Sequence, residues 1–141
     1  MGVKQLSVFE EVNEKDVRRI IAKELKQYRA LKVAIQKKTE RYQEGVEDLF
    51  PSFSRKEKEK ELKVRQIDRA LDNALDEIEL QIIKQKYFSS TRVKDINLYL
   101  DMGLTKDRYY SHKRQAILLI ATALGIICVQ FIFYQQNHDK K

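Results

Sequence analysis

Residues 81–124, QIIKQKYFSSTRVKDINLYLDMGLTKDRYYSHKRQAILLIATAL, constrain this chain more than any other stretch. At their centre stands Asp101-Met102-Gly103-Leu104-Thr105. Gly103 takes positive φ at no steric cost. Leu104 is placed to tuck beneath the turn, and the Thr105 hydroxyl stands where a helix N-cap accepts an orphan backbone N–H. Two helices joined by a three- or four-residue turn, often with glycine, make a helix-turn-helix. The spacing predicts a short helix over 93–100, capped by Ser90 or Thr91, then the turn, then a longer helix over 105–124. In such a unit the longer helix enters a DNA major groove by its N-terminal turns.

The residue types on the longer helix agree. At about 100° per residue, Ala116, Ile117, Ile120 and Leu124 share a face with Tyr109 and form one apolar stripe. Asp107, Arg108, Ser111, Arg114 and Gln115 fall opposite, where side chains reach base edges or phosphates. Lys113 falls on the apolar side and is expected to snorkel toward phosphate. Residues 81–115 hold eight basic side chains against three acids, a net +5 of the chain's formal +7. A concentrated positive face is the electrostatic footprint of a nucleic-acid binder. The competing reading is an ordinary three-helix piece with a solvated basic face; an anionic membrane or an acidic protein is a further use for such a patch.

A chain of 141 residues holds one domain, or a small domain with a helical arm. Its single cysteine, Cys128, makes no intramolecular disulfide and points to a reducing compartment. His112 and His138 lie far apart, so no metal-ligand spacing is present, and no phosphate loop or nucleophile motif occurs. Neither an enzyme nor a cofactor is expected. The N-terminus lacks the apolar core of a secretory signal, and the expected location is the cytoplasm.

Upstream, Asn13 is placed to cap a helix running to about Gln43, with Asp16 favoured in its first turn. Ile21, Tyr28, Ile35 and Tyr42 recur every seven residues. They predict packing against another helix of the chain, or a dimer seam that Glu24 and Lys38 interrupt. Gly45 and Pro51 mark a break, flanked by Phe50 and Phe53, which are expected to anchor the loop. Ser54-Arg55-Lys56-Glu57 has the form of a capping box. Beyond it, Val64, Ile67, Leu71, Ala74, Leu75 and Ile78 continue an apolar stripe, with or without a break near Asp76. This helix is expected to fold back on the first as an antiparallel hairpin. Residues 116–134 carry no charge, long enough for a membrane span. Gly125 argues against that as a helix stop, and a buried tail or a dimer interface is the preferred reading.

Three stretches carry a resemblance to a known family. LSVFEEVNEKDVRRIIAKELKQYRALK, IDRALDNALDEIELQIIKQKYF and VKDINLYLDMGLTKDRYYSHKRQAILLIATALGI resemble, in that order, the opening helix, the middle and the C-terminal half of the autolysin regulatory protein (ArpU) family of phage-encoded transcriptional regulators. The Tyr109-Tyr110 pair, Lys113, Arg114 and Ala116 belong to the likeness. The last third is also similar to region 4 of sigma factors. The resemblance implies a sequence-specific DNA-binding regulator of phage late genes for packaging, morphogenesis or lysis.

The expected protein is therefore all-α, a long-helix hairpin followed by a sigma region-4-like helix-turn-helix. Residues 1–78 form the hairpin, for dimerisation or polymerase contact; 79–125 form the DNA-binding part; 126–141 form an apolar tail. Arg108, Ser111 and Arg114 are the expected base contacts. Lys84, Lys86, Arg92, Lys94, Lys106, Tyr110 and Lys113 are the expected phosphate contacts. The expected partners are double-stranded DNA and a second copy of the chain, with RNA polymerase a further candidate and a membrane not expected.

Overall fold

Asn13 starts the first helix by accepting from the backbone N–H groups of Lys15 and Asp16 at 3.1 and 3.3 Å, and Glu14 and Asp16 place negative charge on its first turn. This helix, α1, spans Glu14–Gln43; it is followed by α2 (Glu57–Asn73), α3 (Glu77–Tyr87), α4 (Asp95–Asp101) and α5 (Lys106–Ala123). The computed structural model describes residues 13–46, 49–50 and 56–127, and there is no strand among them. The protein is all-α.

α2 runs back along α1. Lys38 near the end of α1 reaches Glu57 and Glu61 at the start of α2, and Glu24 meets Lys63. Val17, Ile21, Leu25 and Tyr28 of α1 are buried against Val64, Ile67 and Leu71 of α2. The seven-residue stripe therefore packs within the chain over the first half of α1. It then runs out: Ile35 is half-buried and Tyr42 is 76% exposed. Phe50, expected to anchor the loop, is 73% exposed.

Two helix starts differ from the expected ones. α2 begins at Glu57 with Lys56 at its N-cap and no side-chain cap, so Glu57 is the first helical residue rather than the third residue of a capping box. The capping box stands at α3. There the Asp76 carboxylate accepts from the Glu79 N–H and the Glu79 carboxylate accepts from the Asp76 N–H, both at 2.8 Å. This box breaks the apolar run after Ala74. It resets the helical phase and leaves Ile78 exposed.

α5 packs against all four other helices. Ala116, Ile117, Leu118, Ile120 and Ala121 lie in the main core with α1, α2 and Ile83 of α3. Fully burying an isoleucine such as Ile120 stabilises by about 1.5–3 kcal/mol. The buried arc is broader than the predicted stripe, because Leu118 and Ala121 also face inward. A second, smaller core of Ile82, Leu98 and Tyr109, joined by Val93, Tyr99, Met102 and Leu104, ties the N-terminal half of α5 to α3 and α4.

Gly125, at φ 76°, ends α5. Its N–H returns to Thr122 and that of Ile126 returns to Ala121, so the uncharged run 116–134 is not one continuous helix. Among the described residues no helix is long and apolar enough to cross a membrane. The lead-in 1–12 and tail residues 128–141 lie outside the described residues.

Candidate nucleic-acid interface

α4 closes with a paired reverse hydrogen bond. The Leu104 N–H donates to the Tyr99 carbonyl at 2.9 Å and the Gly103 N–H to the Leu100 carbonyl at 3.2 Å, around Gly103 at φ 68°. Thr105 follows at once as the N-cap of α5, its hydroxyl accepting from the Arg108 N–H at 3.2 Å. Leu104 tucks against the Ile82–Leu98–Tyr109 core as its apolar character requires. The turn therefore sets the direction in which α5 leaves α4. α4 itself starts later than expected, at Asp95, and no side chain caps it. Ser89, rather than Ser90 or Thr91, bonds locally here, accepting from the Thr91 N–H at 3.4 Å.

Asp95 holds the three helices of this unit together. Its Oδ1 accepts from the Tyr109 hydroxyl at 2.6 Å and from Lys113 Nζ at 3.1 Å, and Lys86 Nζ lies at 3.5 Å. Lys86 also donates to the Val93 carbonyl at 2.8 Å. Burial raises the Asp95 carboxyl, but the bonds from Tyr109 and Lys113 and the charges of Lys113 and Lys86 outweigh it, and the group is held below its ordinary value. Burial, then the bond to Asp95, pushes the Tyr109 hydroxyl far up, so it stays a donor. Around this hub the Tyr109 ring packs on Tyr99 and, edge to face, on Tyr110 at centroid distances of 5.7 and 5.3 Å.

The expected contact residues divide into three sets. Arg108 and Ser111 are exposed on the outward face of α5, Lys106 is exposed at its first turn, and Arg92 and Lys94 are exposed just before α4. No hydrogen bond or ion pair among the described residues engages these five side chains. Tyr110 is also exposed, with Lys113 Nζ 5.8 Å above its ring. A second set turns inward: the Lys86 and Lys113 side chains are only 21% and 15% exposed, and both hold Asp95 rather than reaching outward for phosphate. The third set points elsewhere. Arg114 grips Glu14 of α1, with Nε 2.8 Å from Oε2 and Nη2 2.5 Å from Oε1. That bond holds Glu14 below, and Arg114 above, its ordinary value. Lys84 lines an open cavity of about 580 Å³ with Tyr28, Arg29, Lys32, Asp68 and Phe88.

Two residues escaped the sequence reading. Asp95 looked like one acid among many. Its only local signal was its place near a helix start after Arg92 and Lys94, because Tyr109 and Lys113, which bond to it, lie 14 and 18 residues further on. Glu14 gave none, because its partner is one hundred residues away. Among the described residues no group of three or more His, Cys, Asp or Glu is placed to hold a metal ion.

Compared with known protein families, with curated proteins and with solved structures, the chain finds no match.

Proposed function

We propose that this chain is a sequence-specific DNA-binding transcriptional regulator acting on phage late genes in the host cytoplasm. The observation that carries the reading is the α4–turn–α5 unit: a glycine-closed turn, a threonine-capped second helix, and the exposed cations Arg92, Lys94, Lys106 and Arg108, which no hydrogen bond or ion pair among the described residues engages. Arg92, Lys94 and Lys106 are suited to phosphates, and Arg108 and Ser111 to base edges. The resemblance to the autolysin regulatory protein family and to region 4 of sigma factors points the same way. A homodimer on a two-fold operator fits this binding mode.

The test is a gel-shift titration on fragments tiling the genome that encodes the protein, at two salt concentrations with competitor DNA. One fragment bound with nanomolar, salt-dependent affinity is the expected result. Uniform weak shifts would leave only a basic surface, and no shift at low salt would overturn the proposal.

A second reading, contact with RNA polymerase or another regulator without DNA, draws on Ile96 and Leu100. These lie one turn apart on α4 and are 50% and 65% exposed. Salt-insensitive affinity for a protein, with none for DNA, would favour it.

A further inference from the structure

Arg108, Ser111 and Gln115 are spaced by three and four residues on α5, and all three are exposed. At about 100° per residue they fall within roughly 60° of arc, one column along the helix. The column ends at Leu119, which is apolar and half-buried. No hydrogen bond or ion pair among the described residues occupies any of the three side chains. Arg114 precedes Gln115 and so lies about 100° round the helix, on the side facing α1, where Glu14 holds both prongs of its guanidinium.

Resting on the DNA-binding reading, we propose that Gln115, not Arg114, is the third base-reading residue, and that it selects adenine. A glutamine carboxamide matches adenine with two bonds: its N–H donates to N7, and its carbonyl accepts from the N6 amino group. Arg108 matches guanine O6 and N7 in the same two-bond manner. Seven residues at 1.5 Å separate them by about 10.5 Å along the helix axis, some three base-pair steps of 3.4 Å. The operator half-site therefore holds a guanine and an adenine no more than about three steps apart. Ser111 lies between them and accepts either kind of base edge.

The experiment measures affinity of the full chain for its bound fragment with each base pair replaced in turn, for wild type, Gln115→Ala, Gln115→Glu and Arg114→Ala. Wild type should lose roughly 5- to 150-fold at one A·T pair. Gln115→Ala should lose that preference alone and keep the one at the guanine. Gln115→Glu should move the preference toward cytosine, whose N4 amino group donates to a carboxylate. Replacing that adenine by 7-deazaadenine, which lacks the N7 acceptor, should weaken wild type and leave Gln115→Ala unchanged. Gln115 is exposed and alanine is a strong helix former, so the two Gln115 variants should melt as wild type does. A Gln115→Ala profile identical to wild type at every base pair would overturn the assignment and leave the DNA reading standing, as would a profile that only Arg114→Ala alters. Wild-type protein that binds no fragment would overturn both.

Discussion

Arg114 and Glu14, one hundred residues apart, are joined by two hydrogen bonds in a fork that locks the middle of α5 to the first turn of α1. The planar guanidinium matches a carboxylate in this geometry. Both side chains remain partly in water, 53% and 30% exposed, which screens the pair. A double-mutant cycle with Arg114→Ala and Glu14→Ala, read by urea denaturation, should give a coupling of about 0.5–1 kcal/mol. Arg114→Ala should leave affinity for the operator and for random DNA near that of wild type, any small loss being the same on both. A selective loss on the operator would return Arg114 to the base-reading set.

Asp95 is the second pivot. It accepts from Tyr109 and Lys113 with Lys86 beside it, and removing its charge leaves two half-buried ammonium groups facing each other. Asp95→Asn should destabilise by about 1–3 kcal/mol. The folded-state carboxyl sits below its ordinary value, so the unfolded chain takes up the proton first. The contribution is therefore complete above the unfolded value, near pH 4, and is lost as pH falls through the folded one. Thermal melts between about pH 6 and 2 should fall more steeply for wild type than for Asp95→Asn. Parallel curves would place the acid sensitivity elsewhere.

Gly103 tests the turn by itself. A Cβ built there meets nothing within 4 Å, so space is no obstacle and only the φ of 68° opposes a side chain. Gly103→Ala should cost roughly 1–2 kcal/mol in urea denaturation, and Gly103→Asn less, since asparagine visits the left-handed region more readily. Equal stability for alanine and glycine would mean the turn relaxes to another conformation.

Much of this fold follows from local chemistry that a sequence displays. Asn13 before two acids, Gly103-Leu104-Thr105 and Gly125 each act through their nearest neighbours, and each ends or starts a helix where expected. The misread starts have a common cause. Ser54 and Asp76 both precede a glutamate by three residues, and nothing local ranks one box over the other. The apolar run LDNALDEIELQII, continuous in helical spacing, concealed the one that forms. The site was legible to the same depth. Helical periodicity gives an azimuth, which placed Arg108 and Ser111 outward, but it does not give a tertiary partner. Lys113 and Arg114 took their roles from Asp95 and Glu14, which reach them only after the chain has folded.

The exposed and inward lysines should separate cleanly in salt. A cation that neutralises a phosphate releases a counterion, so its removal lowers the slope of log affinity against log salt by about 1. Lys106, exposed at the first turn of α5 with no ion pair among the described residues, should behave this way, and Lys94 likewise. Lys113 carries the same formal charge but delivers it to Asp95 at 3.1 Å. Lys113→Ala should therefore leave the salt slope near that of wild type while lowering the melting temperature, and Lys106→Ala should do the reverse. Binding isotherms between about 50 and 200 mM salt, paired with melts of the same preparations, decide it. A lowered slope for Lys113→Ala with unchanged stability would show that this lysine leaves Asp95 to meet DNA.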